Sequence, residues 1–289
     1  SVIKQPVKLH SSSRIGLMLV FALAGCASAP PAPEKLASGD MRAVKAYIDR
    51  LAPFEMQKTK VPGLSIALVD DQRVVWAQGY GYADVAKQIP ATADTVYRAG
   101  SVSKLFTGAA VLQLAEQRKL NLDQPIARYL PAFHPASATA QSITIRQVMT
   151  HHAGLPRDQL QGMFDSRPAP YTEAITILNN AKLAYAPGQV FSYSNLGFSL
   201  LGSLVERAEG KAFSHFMQSS LLAPMGMTAS SFESGPSASS QMALAYKGLD
   251  LSTEPALRDV PAGGLNTTVN DMARFIQMVF AEGRSGSAQ

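Results

Sequence analysis

An α+β fold is what this sequence predicts, and three observations carry the expectation. Two apolar runs, "GLSIALVD" (63–70) and "RVVWAQGYGYA" (73–83), flank the two-residue turn Asp71-Gln72 and read as an antiparallel β-hairpin. From Ser101 onward the apolar residues recur mostly at helical spacing, between loops that are polar or bear proline. The 289 residues, 46% hydrophobic and 16% charged, are enough to bury a sizeable core and do not have the composition of a disordered chain.

The elements follow in order. Met41, Val44, Ile48 and Leu51 recur at helical spacing and predict a helix from about Asp40 to Leu51, ended by Pro53. The hairpin comes next. "AGSVSKLF" (99–106) then opens a helix from Ser101 to about Gln117, with Ser101 in an N-cap position. "ITIRQVMTHH" (143–152) predicts a helix capped by Thr144, and "YTEAITILNN" (171–180) a short amphipathic one. A short strand is expected near 190–193. "NLGFSLLGSLVERAEG" (195–210) places Leu196, Leu200, Leu204 and Ala208 on one face and stops at Gly210. "PAGGLNTTVNDMARFIQMVF" (261–280) begins as a Gly-rich loop and becomes helical near Val269, with Thr268 and Asp271 in a capping-box pattern. A hairpin alone is marginal in water. It must pack on helices, or further strands that belong with it must lie beyond Gln289.

The charge is less basic than it looks. The chain carries +5 overall, but Lys4, Lys8 and Arg14 precede residue 26 and no acid does, so the remainder carries about +2. No run of five or more Lys/Arg residues occurs, and nucleic acid is not an expected partner. Residues 1–25 have the pattern of a signal peptide: a basic flank, an apolar core too short to span a bilayer ("IGLMLVFALAG", 15–25), then small residues. "LAGC" (23–26) resembles the lipobox of bacterial lipoproteins, which implies that Cys26 is lipidated. Residues 26–39 read as a Pro/Ala/Ser-rich tether and 40–289 as the folded domain. The expected setting is the bacterial cell envelope, at the outer membrane, with the domain lipid-anchored and facing the periplasm. Cys26 is the single cysteine, so neither a disulfide nor thiolate chemistry is expected.

Two places carry chemistry. A serine hydroxyl needs a partner to take its proton. Lys104 stands three residues after Ser101 on the same helix face, where the helix dipole and burial both disfavour an ammonium. The N–H of Ser101 at a helix start suits half of an oxyanion hole. Ser-x-x-Lys alone is weak, because Ser1 to Lys4 matches it too. The second place is "FSYSNLG", the only Tyr-x-Asn in the chain. On extended backbone Tyr193 and Asn195 point the same way. A tyrosinate can accept the serine proton, and a carboxamide can hold a substrate amide. The structural alternative is a buried tyrosine with Asn195 capping the next helix.

Together these segments resemble the serine hydrolases of the β-lactamase/penicillin-binding fold. The resemblance is to the branch that holds class C β-lactamases, D-alanyl-D-alanine carboxypeptidases and related esterases. It rests on "VPGLSIALVDDQRVVWAQGYGYAD", "YRAGSVSKLFTGAAVLQLAEQRKLNLDQPIARYLP", "IRQVMTHHAGLP", "APGQVFSYSNLGFSLLGSLVERAEG", "LLAPMGMTAS" and "PAGGLNTTVNDMARF", which follow in the family's order over about residues 40–283. It implies an antiparallel sheet flanked by helices plus a helical domain. It also implies Ser101 as the acylated nucleophile, Lys104 as its partner, Tyr193 as base and proton shuttle, and Asn195 as a substrate-orienting group. The expected substrate is a small molecule or a peptidoglycan-derived one, with an amide, ester or β-lactam carbonyl. No cofactor or metal is expected.

The family's third motif, Lys-Thr-Gly or His-x-Gly on a strand, has no match in place. Lys247-Gly248 lacks the middle residue, and "HHAGL" (151–155) precedes the Tyr motif. The expectation is a C-terminally truncated domain whose remaining strands lie past Gln289. A non-catalytic or vestigial peptidoglycan- or penicillin-binding lipoprotein is the alternative. The chain has no G-x-S-x-G, no H-E-x-x-H, and adjacent histidines 151 and 152 that read as a structural loop rather than a metal site. The methionine-rich segments "PMGM" and "FIQMVF" read as core.

Overall fold

The computed structural model describes residues 28–33 and 39–284. The signal-peptide segment, Cys26 and part of the tether lie outside the described residues.

The first helix, α1 (Met41–Thr59), starts where Asp40 accepts the N–H of Ala43 at 3.1 Å and ends at Lys60 in the left-handed region. It does not end at Pro53, which sits inside it. Proline removes one helical hydrogen bond. The helix continues because Ala52 and Met56 are buried against Tyr80 of the hairpin, and that packing outweighs the local penalty. β1 (Gly63–Asp70) and β2 (Arg73–Asp84) pair antiparallel as expected, with Asp70 opposite Arg73 and Asp71 at φ +49° in the turn. β3 (Ile89–Pro90) adds a short third strand beside β2.

The helical part follows. β4 (Tyr97–Arg98) leads into a 3₁₀ turn over Gly100–Val102 and then α2 (Ser103–Glu116). α3 (Ile126–Tyr129), α4 (Ala138–Gln141) and α5 (Ile145–Met149) are short. α5 begins with the full capping box of Thr144 and Gln147. After β5 (Phe164–Asp165) come α6 (Glu173–Asn180) and α7 (Asn195–Glu209). α7 is the centre of the core: Leu196, Leu200, Leu201 and Leu204 are fully buried, and Gly210 ends the helix at φ +64°. α8 (Phe213–Phe216) runs into a π-type turn over Met217–Leu222.

No strand forms at 190–193. The segment has no ladder partner, and it is held by His151 instead: the N–H of Ser192 donates to the His151 carbonyl at 2.7 Å. Conversely, the Gly-rich loop contains a strand. β6 (Ser231–Phe232), β7 (Tyr246–Lys247), β8 (Asp250–Leu251) and β9 (Ala256–Leu257) lead to α9 (Val260–Gly263), β10 (Leu265–Thr267) and α10 (Val269–Phe280). β10 lies between β4 and β6, so it ties the segment before Ser101 to the later loops. Lys247-Gly248 forms the tip of the β7–β8 hairpin, with Gly248 beside Lys60 at the end of α1.

The first hairpin is held by helices. α1 and α10 both pack on β1 and β2. Gln72 and Gln277 exchange side-chain-to-carbonyl hydrogen bonds at 3.1 and 2.6 Å, which fasten the hairpin turn to α10. Among the described residues no helix is long and apolar enough to cross a membrane.

Candidate active site

Ser101 sits in the 3₁₀ turn that precedes α2. Gly100 supplies φ +53° just before it, a conformation that favours glycine. The expected capping role is filled by no side chain, either at the turn or at α2. It is Ser103 that braces the main chain: its hydroxyl donates to the Gly100 carbonyl at 2.5 Å and accepts the N–H of Leu265 at 2.9 Å. The hydroxyl of Ser101 therefore remains available. A similar division holds at α7. Ser194 is the N-cap, accepting the N–H of Gly197 at 2.9 Å, and so the Asn195 side chain is not spent on the helix.

The four residues singled out from the sequence meet. The Tyr193 hydroxyl donates to Ser101 Oγ at 2.9 Å, and Lys104 Nζ donates to the same oxygen at 3.3 Å. Lys104 Nζ also donates to Asn195 Oδ1 at 2.7 Å and to the Ala262 carbonyl at 2.8 Å. Three acceptors match the three donors of an ammonium. Asn195 Nδ2 donates to Asp158 Oδ1 at 2.6 Å, and Arg157 Nε donates to Asp158 Oδ2 at 3.1 Å. The Arg157 guanidinium stands 5.3 Å from the centroid of the Tyr193 ring, which closes the circuit back to Ser101. With a cation on one side and a carboxylate on the other, the Asn195 amide has a single satisfied orientation.

Lys104 is 8% exposed. Burial pushes its basicity below the ordinary lysine value; the Tyr193 hydroxyl and the charges of Asp158 and Asp259 work against that shift. Its Nζ lies 4.8 Å from the centroid of the Tyr193 ring.

Sequence reasoning missed three participants. Asp158 orients Asn195, and its only sequence signal is its place just after "HHAGLPR". The Ala262 carbonyl is a main-chain group and has no residue-type signature. His151, expected as a structural loop, stacks on Tyr193 with ring centroids 4.4 Å apart and 29° between planes.

α9 carries the Ala262 carbonyl, and its position is fixed from beneath. Thr107 of α2 donates to the Pro261 carbonyl at 2.7 Å. Asp259, just before α9, is buried and receives Arg258 Nε and Nη2, both at 3.1 Å, and Ser199 Oγ at 3.0 Å. Ser101 lies where two cavities meet. One, about 990 Å³ and mostly apolar, runs between α2 and α10; the other, about 430 Å³, is walled by Arg98, Phe164, Asn195 and Glu254. The described residues contain no group of three or more His, Cys, Asp or Glu side chains placed to hold a metal ion.

The family model described as Beta-lactamase matches residues 48–289. Protein flp of Staphylococcus aureus (strain N315) is 30% identical over 238 residues, covering 80% of this chain and 48% of that protein. The D-alanyl-D-alanine-carboxypeptidase/endopeptidase AmpH of Escherichia coli (strain K12) is 28% identical over 235 residues, covering 80% of this chain and 60% of that one. The chain thus spans about half the length of the curated relatives it matches. Among solved structures, the octameric penicillin-binding protein homologue from Pyrococcus abyssi superposes with a TM-score of 0.69 at 28% identity, over 85% of this chain and 57% of that one. EstCE1, a hydrolase with promiscuous acyltransferase activity, superposes with a TM-score of 0.73 at 22% identity over 86% and 75%, a likeness of fold.

Proposed function

The chain belongs to the beta-lactamase family, and we propose that it is a serine hydrolase working through a covalent acyl-enzyme on Ser101. The observation that carries the reading is the pair of contacts on Ser101 Oγ, from Tyr193 at 2.9 Å and Lys104 at 3.3 Å. A hydroxyl flanked by two groups able to exchange its proton is the arrangement an activated serine needs.

The chemistry runs in two halves. With Tyr193 as the phenolate, Ser101 Oγ attacks an acyl carbonyl and its proton passes to the Tyr193 oxygen; the Lys104 ammonium stands beside the pair, its Nζ 4.8 Å from the Tyr193 ring centroid. The developing oxyanion takes a hydrogen bond from the main-chain N–H of Ser101 at the helix start. The bond from the carbonyl carbon to the leaving nitrogen or oxygen then breaks, and the leaving group takes the proton. Water, giving its proton to the same base, splits the resulting ester and returns Ser101. Asn195, oriented by Asp158, holds the substrate amide or ester beside Lys104.

The name of the AmpH relative supports a D-alanyl peptide or a related amide as substrate, and an ester carbonyl is open to the same attack by serine. Lipidation of Cys26 and a place in the cell envelope belong to the same reading, since a tethered domain facing the periplasm would meet peptidoglycan. The test is a panel given to the full-length protein: a chromogenic β-lactam, a D-alanyl-D-alanine peptide and a p-nitrophenyl ester. The expected result is product release from at least one, abolished by Ser101→Ala. Release from none, or release that Ser101→Ala leaves unchanged, overturns the proposal.

A further inference from the structure

His151 touches the residue on each side of Tyr193 and Tyr193 itself. Its carbonyl accepts the N–H of Ser192 at 2.7 Å, its Nδ1 accepts the N–H of Ser194 at 3.1 Å, and its ring stacks on the Tyr193 ring at 4.4 Å. We infer that His151 is the positioning residue for Tyr193, setting where the phenol oxygen stands relative to Ser101. The inference rests on the hydrolase reading and adds to it a residue that acts through Tyr193 rather than on substrate.

The local structure explains why a histidine can do this. α5 ends at Met149, and His151 turns away from it with φ +60°, a left-handed conformation in which His, like Asn and Asp, is enriched. That turn aims both its carbonyl and its ring at the segment 191–194. The loop beyond is pinned: Gly154 lies so close to the Tyr185 carbonyl that a Cβ would stand 1.9 Å from it, and the N–H of Gly188 donates to the His152 carbonyl at 2.7 Å. Phe198 and Phe191 bracket the His151 ring at 5.1 and 5.6 Å, so the ring has little room to turn.

The hydrogen bond also fixes the chemistry of the ring. Nδ1 accepts a main-chain N–H, so a neutral ring carries its proton on Nε2. Burial and the nearby Lys104 charge hold the imidazole neutral by lowering its pKa to about 4. A neutral ring stacks on Tyr193 without adding a second cation beside Lys104.

The segment 191–194 lacks a ladder partner, so Tyr193 has no sheet to hold it. His151 supplies the missing constraint with two main-chain contacts and one ring contact. Displacing a reacting group by about 1 Å costs on the order of 100-fold in rate.

The experiment measures phosphonylation of Ser101 in the full-length protein by a fluorophosphonate, with fluoride as the leaving group, separating the maximal rate from the half-saturating concentration. Three variants are compared at matched folded fraction. His151→Ala removes acceptor and ring. His151→Asn keeps the left-handed turn and places Oδ1 near the lost Nδ1. His151→Phe keeps the ring and loses the acceptor. The expected result is a maximal rate about tenfold to 100-fold lower in His151→Ala, a half-saturating concentration changed less than about threefold, and intermediate rates for Asn and Phe. Wild-type rates in all three, or Asn and Phe both as slow as Ala, overturn the inference while the hydrolase reading stands. If His151→Ala fails to fold, Asn and Phe decide: both at the wild-type rate overturn it, and intermediate rates support it. A wild-type protein that never labels overturns the hydrolase reading and this inference with it.

Discussion

Gly202→Ala adds one methyl group far from any reacting atom, and the structure says it will reach the active site. Gly202 lies on α7 where α9 crosses it. A Cβ there would stand 2.2 Å from Pro261 Cγ and 2.7 Å from Pro261 Cβ. Carbon atoms pack at about 3.5–4.0 Å, so α9 must retreat by roughly 1.5 Å. Two contacts depend on its present place: Thr107 Oγ1 to the Pro261 carbonyl at 2.7 Å and Lys104 Nζ to the Ala262 carbonyl at 2.8 Å. Both pass out of hydrogen-bond range with such a shift. Overpacking costs about 1–3 kcal/mol. The lost charged hydrogen bond costs about 1.5–3 kcal/mol, and alanine in a helix returns roughly 1 kcal/mol relative to glycine. The expected net loss is about 1.5–5 kcal/mol in urea unfolding, with acylation slowed on the order of 100-fold because Lys104 loses its fixed position. An unfolding free energy within about 0.5 kcal/mol of wild type, together with an unchanged acylation rate, refutes the close-contact reasoning.

Three further perturbations follow from the same geometry. Arg258→Met leaves the Asp259 carboxylate buried with Ser199 as its remaining side-chain donor, and urea unfolding should show a loss of about 3–5 kcal/mol; a loss under about 1 kcal/mol contradicts the pairing. Tyr193→Phe removes one hydroxyl and should slow acylation by about 100-fold to 10,000-fold while leaving the melting temperature nearly unchanged; an unaltered rate would assign the proton elsewhere. His151 is held neutral when folded, with its pKa lowered from 6.5 to about 4, so the unfolded chain takes up its proton first. The stability from the neutral ring is complete above pH 6.5 and falls away as the pH drops toward about 4, by about 1–2 kcal/mol once solvent screening of the half-buried ring is allowed for. Unfolding measured across that window should show the loss in wild type and a shallower one in His151→Phe; superimposable curves contradict it.

What could be read from the sequence was whatever local pattern alone enforces. The hairpin was legible because a two-residue turn between two apolar runs admits few other structures, but the bulge between Leu68 and Val69 that shifts its register had no signal in the sequence. Ser101, Lys104, Tyr193 and Asn195 were legible as residue types at fixed spacing, and the structure brings them within hydrogen-bond reach of one another. Tertiary contacts overrode local signals elsewhere. Pro53 should have ended α1, but Ala52 and Met56 needed the hairpin's surface. β10 has three residues, all buried, too few for any alternation to show. Ser101 and Asn195 stood in capping positions, but Ser194 caps α7, and neither the turn at Ser101 nor α2 has a side-chain cap. The Ala262 carbonyl could not be read at all, because every residue has a carbonyl and only the fold chooses which one meets Lys104. His151 was visible as a residue, but its grip on the segment around Tyr193 depends on a left-handed turn that no sequence period encodes.

The central claim is that Ser101 is the activated nucleophile that takes the covalent adduct. Full-length protein treated with a fluorophosphonate, digested and mapped by mass spectrometry tests it directly. The account predicts one adduct, on the peptide containing Ser101, and none in Ser101→Ala. No adduct, or an adduct that Ser101→Ala leaves in place, would contradict it.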